Sequence, residues 1–277
     1  MTVTPASHAI GRQSIHSSAY RPASAQIADL RPAIQTDDGG IPEQLASYGR
    51  TITLRPQQRF SLSAANEIIV LLDGFLALDA APTTSRLQIL DFLVAGDVVA
   101  APIVRTASGL SARAITSARL VAFDISLLED AVLPSSCWSF LFARCQQQIF
   151  RSHLHQLMTG RLEIEPRVAS FLLAMSCIYN VKPGAGGVVR LPMSRADIAN
   201  YLVMNSDTLS RTMVKFSTLG LIKRVSRHTI LLLDLDRLRT KSPLARQIAS
   251  APVSRGHVGS AARARFQAMN ENSLKSA

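Results

Sequence analysis

One stretch near the end of the chain decides the fold: LPMSRADIANYLVMNSDTLSRTMVKFSTLGLIKRVSRHTILLLDLDRL, residues 191–238. Ser194 and Asp197, three residues apart, form a capping-box pattern that predicts a helix start, with Asp in place of the usual Glu or Gln. Asn205 is a favourable N-cap for a second helix over about 206–219. Apolar residues recur at helical spacing in both segments, so each helix buries one side. The pattern predicts a helix-turn-helix.

The second predicted helix keeps a polar face outward. Asp207, Ser210 and Arg211 occupy its N-terminal half, the part of a recognition helix that meets base edges. Arg211 can bind guanine O6 and N7, Asp207 can accept from cytosine N4, and Ser210 is short enough to approach a thymine methyl. We expect these three side chains to contact bases. A favourable first-turn acid, paired at i+4 with a solvated arginine, is the alternative interpretation.

Contacts with the DNA backbone are expected from polar and basic residues around this helix. After Gly220, residues 221–225 and 229–233 flank a short turn and predict a β-hairpin, the wing, followed by a last short helix from 234. Basic residues on the wing suit phosphate contact. The complete set of expected backbone contacts is Ser194, Asn205, Ser206, Thr208, Lys215, Arg227 and His228.

The charge distribution agrees with a DNA-binding C-terminal part. Residues 1–160 hold 12 basic and 12 acidic side chains, whereas residues 161–277 hold 18 basic and 7 acidic ones, which accounts for the whole net charge of +11. A surplus confined to one region is typical of a phosphate-binding surface, because basic side chains release counterions from the duplex. A solvated basic surface with a basic tail is the other interpretation of the charge alone.

Short segments rich in Ile, Val, Leu and Phe, spaced by roughly ten residues, predict an all-β domain ahead of the helices. Turns at 73–74 and 95–97 separate some of them, and we expect an antiparallel sandwich or barrel. The predicted strands are 51–54, 67–72, 75–78, 87–93, 97–101, 112–116 and 120–123. The first 45 residues, rich in Ala, Ser, Pro and Gly, predict a disordered tail.

A long helix with two apolar stripes is predicted between these parts. The first stripe runs from Trp138 to Ile149. The second stripe is turned by about 120° from the first and comprises Phe150, Leu154, Leu157 and Met158. One stripe can cover the protein's own β domain, and the other favours the same helix of a second subunit or the following domain. Packing of both stripes within one chain stays open. The expected dimerisation residues are Trp138, Leu141, Phe142, Cys145 and Ile149.

These segments resemble the Crp/Fnr superfamily of bacterial transcription regulators, in particular its FNR/FixK-like branch. The residues that carry the resemblance are 167–173, 191–202, 208–211, 219–222 and 234–238. The resemblance implies an α+β fold with an N-terminal cyclic-nucleotide-binding-like jelly-roll barrel, a long dimerisation helix and a C-terminal winged helix-turn-helix. It also implies a homodimer that binds palindromic promoter DNA and contacts RNA polymerase.

The predicted domains follow from this comparison. They are a disordered tail at 1–45, a β-barrel sensor-like domain at 46–133, the dimerisation helix and a hinge at 134–162, the winged helix-turn-helix at 163–241 and a basic flexible tail at 242–277.

Several positions depart from the family pattern. Asp207 stands where the branch usually has Glu, and Val203 replaces the usual turn glycine, so we expect a strained or differently shaped turn. Gly96-Asp97 and Leu110-Ser111 lack the Glu and Arg that grip a cyclic nucleotide in ligand-binding members. Residues 1–136 contain no cysteine for an iron-sulfur cluster. No cofactor is therefore expected.

The leading hypothesis is a homodimeric transcription regulator. We expect it in the cytoplasm, because an odd number of cysteines argues against a disulfide framework and no apolar run is long enough to span a membrane. The rival hypothesis is a small-ligand-binding signalling module that no longer reads a specific DNA sequence. An enzyme is not expected, because no nucleophile, base and orienting group occur in a recognisable context.

Overall fold

The computed structural model describes residues 41–61, 67–81, 87–100, 110–129, 133–178, 181 and 187–250. Residues 1–40 and 251–277 of the two predicted tails lie outside the described residues. The predicted tail boundary at residue 45 is too late. Glu43–Tyr48 is a 3-10 helix, and Leu45 is completely buried against Val70 and Phe123 of the β domain.

Within the described residues the N-terminal domain has eight antiparallel strands in two four-stranded sheets, ordered β1-β8-β3-β6 and β2-β7-β4-β5. The strands are β1 Arg50–Leu54, β2 Arg59–Ser61, β3 Glu67–Asp73, β4 Phe75–Ala80, β5 Gln88–Val94, β6 Val98–Ala100, β7 Ser111–Ala114 and β8 Ala118–Asp124. The sheets make a jelly-roll-like sandwich, so the predicted barrel does not close. All seven predicted strands occur, and the three-residue β2 was not predicted.

The two sheets enclose a core of alternate strand residues. Leu71 and Leu120 from one sheet meet Leu76 and Leu93 from the other. At the β3–β4 turn Gly74 has φ +102°, and a Cβ there would lie 2.5 Å from the Ser117 carbonyl oxygen. Only glycine therefore fits this turn.

Helix α1, Ser126–Glu129, leads to the long helix α2, Ser135–Arg161. The sequence around Thr159-Gly160-Arg161 predicts the hinge of the 134–162 segment, but α2 continues through these residues and the chain becomes extended only at Leu162. A single helical glycine costs only about 1 kcal/mol, which packing along a 27-residue helix offsets. Within the described ranges, no helix has both the length and the apolar character that a membrane crossing requires.

The C-terminal domain is a winged helix-turn-helix. Its elements are α3 Ile164–Ile178, β9 Gly187–Arg190, α4 Arg195–Tyr201, α5 Ser206–Thr218, β10 Ile222–Ser226, β11 Thr229–Leu232, α6 Leu235–Thr240 and α7 Ala245–Ser250. The hairpin β10–β11 matches the predicted wing, and β9 adds a third strand in the order β10-β11-β9.

The domain extends past the predicted boundary at residue 241. Ser242 is buried and shares a 2.6 Å hydrogen bond with Ser170 of α3, and Ile248 of α7 lies in the domain core. Residues 242–250 are therefore part of the winged helix domain, which corrects the start of the predicted tail. Alanine and arginine composition hid this short helix, because Ile248 is its only large apolar side chain.

Candidate nucleic-acid interface

Helix α5 is fixed at both ends by its own sequence. The Asn205 side chain accepts a 2.8 Å hydrogen bond from the Asp207 backbone N–H, as expected of an N-cap. At the other end Gly220 has φ +68°, and the Leu221 N–H donates to the Phe216 carbonyl at 3.0 Å, which closes a Schellman motif. The helix therefore starts and ends at defined positions, which fixes which side chains face outward.

The outward face of α5 carries charges that have no ion pair among the described residues. Leu209 and Phe216 are buried, Asp207 and Arg211 are exposed, and Ser210 is half-buried. The side chains of Asp207 and Arg211 have no ion pair or hydrogen bond with any residue in the described part of the chain, so the alternative of an i+4 pair between them is not found. Both charged groups are free to meet a partner.

Helix α4 begins with the predicted capping box. The Ser194 hydroxyl accepts from the Asp197 N–H at 3.1 Å, and Asp197 Oδ2 accepts from the Ser194 N–H at 3.0 Å. The shorter Asp side chain therefore performs the reciprocal bond that Glu or Gln usually makes. Asp197 Oδ1 accepts a further bond of 2.6 Å from Arg113 of β7. Ser194 is thus half-buried and acts first as a helix cap.

The turn between α4 and α5 is strained. Val203 has φ +51°, a left-handed conformation that a β-branched residue rarely adopts. Arg167 of α3 donates to the carbonyl oxygens of Leu202 at 2.9 Å and Val203 at 3.2 Å. The expected glycine geometry is kept despite the valine, and the guanidinium group satisfies carbonyls that the tight turn leaves without helical partners.

The other predicted backbone contacts differ in their availability. Ser206 and Arg227 are exposed, and Thr208 is half-buried. Lys215 forms an ion pair with Glu165 of α3, so it is engaged in this structure. His228 Nδ1 lies 3.0 Å from the Leu191 carbonyl oxygen and donates to it, because a carbonyl only accepts; this fixes the ring at the base of the wing.

A small groove with a mainly apolar lining lies beside the wing. Arg195 of α4 and Arg224 and Arg227 of the wing line it together with apolar side chains such as Phe171, Met213 and Ile230. Burial, and then the nearby positive charge of Arg224, lower the pKa of Arg195. No acidic side chain among the described residues lines this groove. Arg195 was not among the predicted contacts, although its position directly after the capping serine could have indicated it.

The β domain holds α4 through contacts that the sequence did not indicate. Asn200 Oδ1 accepts from the Ile89 N–H at 2.6 Å, its Nδ2 donates to the Leu87 carbonyl at 2.9 Å, and the Gln88 side chain donates to the Asn200 carbonyl at 2.7 Å. Tyr201 is buried beside Phe92, with ring centroids 5.0 Å apart. Helix α4 is therefore anchored to β5.

The expected dimerisation residues divide between two sides of α2. Phe142 and Ile149 are 63% and 55% exposed, and Trp138 shares their side of the helix. Leu141, by contrast, is buried, and the half-buried Cys145 packs against the same β-domain core. These two residues lie about 60° and 20° from Trp138 on a helical wheel, at the edge that turns toward the sheet. Leu141 is therefore a core residue and not part of an exposed face.

The carboxylate of Asp97, the residue after Gly96, accepts hydrogen bonds from within the protein. Asp97 accepts two bonds from Arg151 of α2, at 2.9 Å and 2.8 Å, and one from the Val94 N–H at 2.8 Å. Burial works against the charge of Arg151, but Asp91 and Asp97 outweigh it and raise the pKa of Arg151. Asp97 is thus committed to joining the β domain to α2. No metal-ligating group of three His, Cys, Asp or Glu side chains occurs among the described residues.

Comparisons with known proteins agree with this architecture. Residues 166–241 match the family described as the Crp-like helix-turn-helix domain. The nitrogen fixation regulation protein FixK of Azorhizobium caulinodans is 30% identical over 225 residues, which cover 78% of this chain and 89% of FixK. A probable transcriptional activator of Rhizobium leguminosarum bv. viciae is 28% identical over 166 residues, covering 60% of this chain and 69% of the activator.

Solved structures show the same fold. FixK2 from Bradyrhizobium japonicum superposes with a TM-score of 0.58 at 25% identity and covers 70% of this chain and 97% of FixK2. A CooA variant from Carboxydothermus hydrogenoformans has a TM-score of 0.59 at 18% identity, covering 72% and 89% of the two chains, and shares the fold alone. With the match to FixK over most of both sequences, these findings show that the chain belongs to the Crp/Fnr family of DNA-binding transcription regulators, in its FNR/FixK-like branch.

Proposed function

We propose that this regulator binds a two-fold symmetric site on double-stranded DNA as a homodimer, with α5 of each subunit in a major groove. Asp207, Ser210 and Arg211 contact base edges. The observation that carries this proposal is the outward face of α5, where Asp207 and Arg211 have no partner among the described residues. A charged pair left unpaired at i+4 on a well-capped helix suits an external partner with donors and acceptors of its own.

Backbone phosphates are held by the residues around that helix. Arg224 and Arg227 are exposed on the wing, with the half-buried Arg195 beside them, and exposed arginines suit contact with phosphate oxygens. Ser206 and Thr208 lie in the first turn of α5, where free N–H groups also favour an anion. Three further residues contact phosphates while they keep their internal hydrogen bonds: Ser194, Asn205 and His228. Lys215 must leave Glu165 to reach a phosphate.

Dimerisation is proposed along the exposed side of α2. Trp138, Phe142 and Ile149 follow one another at spacings of 4 and 7, and each is exposed in the single chain. Three large apolar side chains along one helix form a patch of the kind that a second copy covers. Cys145 lies between them at the edge of the patch, and burial raises the pKa of its thiol. Leu141 supports the helix from behind.

The bound dimer contacts RNA polymerase and acts in the cytoplasm, where bacterial promoter DNA lies. No enzymatic activity is proposed, because the outward polar groups of α5 and the wing suit binding and include no nucleophile with an adjacent base.

The decisive experiment selects bound duplexes from a random pool with the full-length protein. We expect an enriched palindrome whose half-sites lie about 34–36 Å apart, one helical turn. Its affinity should fall steeply with salt, as log K against log salt with a slope set by the number of phosphates neutralised. Equal binding of selected and scrambled duplexes at physiological salt would refute the proposal and favour the ligand-binding module.

A second experiment tests the dimer. Phe142→Asp should give monomers in analytical ultracentrifugation, whereas Ser139→Asp on the exposed helix surface should not.

A further inference from the structure

Val214 is an exposed apolar residue in the middle of the face proposed to read DNA. It is 66% exposed, whereas its helix neighbours Leu209 and Phe216 are buried. Val214 follows Asp207 by seven residues, Ser210 by four and Arg211 by three. At 100° per residue these four positions fall within an arc of about 100°, and Val214 lies between Ser210 and Arg211 on it, so they share one face of α5.

The spacing corresponds to a complete reading face. Recognition helices of other folds use positions separated by 0, 3, 4 and 7 residues to reach successive base pairs, as in homeodomains. From Asp207 to Val214 the helix rises about 10.5 Å, or roughly three base-pair steps of 3.4 Å. Val214 is therefore placed to lie over a base pair next to the one that Arg211 contacts.

The polar side chains next to Val214 along the helix are engaged within the protein. The neighbouring Lys215 is engaged by Glu165 of α3. One turn further on, the Thr218 hydroxyl donates to the Val214 carbonyl oxygen at 3.2 Å, so that hydroxyl is directed back to the helix. A single exposed valine would need no explanation elsewhere on a protein surface. Its significance here comes from its register with Arg211.

We propose that Val214 is a fourth reading position, which contacts the 5-methyl group of a thymine adjacent to the base pair bound by Arg211. The inference rests on the proposed function and adds to it a specificity-determining residue. The branched side chain has no donor or acceptor, so it cannot distinguish bases by hydrogen bonds. In the major groove the thymine methyl is the apolar feature that a base pair presents.

The test uses uracil, which differs from thymine only by the missing methyl. Each thymine of the selected half-site is replaced singly by uracil, and dissociation constants are measured by fluorescence anisotropy for the wild-type protein and for Val214→Ala. We expect one uracil position to weaken wild-type binding by about three- to five-fold per half-site, the effect of one methyl-sized group. The same replacement should leave the affinity of Val214→Ala unchanged. Alanine favours a helix more than valine, so this variant should remain folded.

Val225→Ala supplies the matched control. Val225 is 55% exposed on the wing, so the same atoms are removed from an exposed position that is not on α5. Its uracil profile should equal that of the wild type. A uracil penalty that persists in Val214→Ala would overturn the inference, as would a selected half-site with no thymine within three base pairs of the Arg211 contact, although the proposed function would stand. A wild-type protein without sequence preference would overturn the proposed function as well.

Discussion

Both helices of the helix-turn-helix begin at a polar N-cap residue, but the partners of their polar side chains differ. In α4, the polar side chains Asp197 and Asn200 are satisfied inside the protein by Arg113 and the edge of β5. In α5, Asp207 and Arg211 have no side-chain partner in the described part of the chain. A polar side chain that the fold has already satisfied is expected to matter for stability, whereas one left unsatisfied is expected to matter for binding. Substitutions in the two helices should therefore separate these properties.

The largest effect is expected at Tyr201 in α4. Its ring is buried between Phe92 and Phe171 and stacks on His155 with centroids 4.1 Å apart. Tyr201→Ala leaves a cavity where the β domain, α2 and α4 meet, and should lower the free energy of unfolding by about 3–5 kcal/mol. Urea denaturation followed by circular dichroism measures the change.

Tyr201→Phe is the control, because it retains the ring that fills the site. It should change the free energy of unfolding by less than about 1 kcal/mol. An equal loss in both variants would show that the hydroxyl group, and not the packing of the ring, anchors α4.

Arg211 in α5 should give the opposite result. Arg211→Ala removes an exposed guanidinium that has no partner among the residues that the structure describes, so the free energy of unfolding should stay within about 0.5 kcal/mol of the wild type. Affinity for the selected duplex should fall by about 1–3 kcal/mol, with relaxed preference at one base pair of each half-site. Arg227→Ala on the wing should instead weaken all duplexes alike and reduce the salt slope by about one. A loss of stability in Arg211→Ala would remove the distinction between the helices.

Asn200 tests whether α4 is anchored by polar contacts as well as by Tyr201. Its side chain makes two bonds to the backbone of residues 87–89, on the edge of β5. Asn200→Ala leaves the Ile89 N–H without its 2.6 Å acceptor and should cost about 1–3 kcal/mol of stability. Thermal unfolding would measure it. Ser217→Ala on the exposed side of α5 is the control, and equal unfolding temperatures for the two variants would contradict the anchoring role.

The sequence predicted what depends on neighbouring residues. The capping box at Ser194, the N-cap at Asn205 and the outward position of Arg211 each follow from spacings of a few residues, and all three occur in the structure. The strands of the β domain were likewise visible from turns such as the one at Gly74. Whether Asp207, Ser210 and Arg211 read bases stays a prediction.

Contacts between distant parts of the chain could not be predicted. Arg113 and Asp197 are 84 residues apart, and nothing local distinguishes this pair from solvated charges. The same limit explains Leu141. Its spacing from Trp138 is compatible with the exposed edge or the buried edge of an apolar stripe. Only the position of the sheet decides that Leu141 is buried. Three-residue β2 and the six-residue helix α7 were missed because neither is long enough to repeat its pattern through two full periods.

The smallest effect is expected at the turn that joins the two helices, where the local sequence disagrees with the backbone. Val203 holds φ +51°, and a non-glycine residue in that region costs about 1–2 kcal/mol. Val203→Gly removes this strain but adds backbone entropy to the unfolded chain, at a cost of roughly 0.5–1 kcal/mol. The variant should therefore be more stable by about 0.5–1 kcal/mol, measured as a shift of the urea midpoint at constant slope. Val203→Ala retains the Cβ atom and should recover less of this gain. Since Arg167 bonds the Leu202 and Val203 carbonyls in either case, a gain in Val203→Ala as large as that in Val203→Gly would mean that β-branching, and not the left-handed backbone, is the source of the strain.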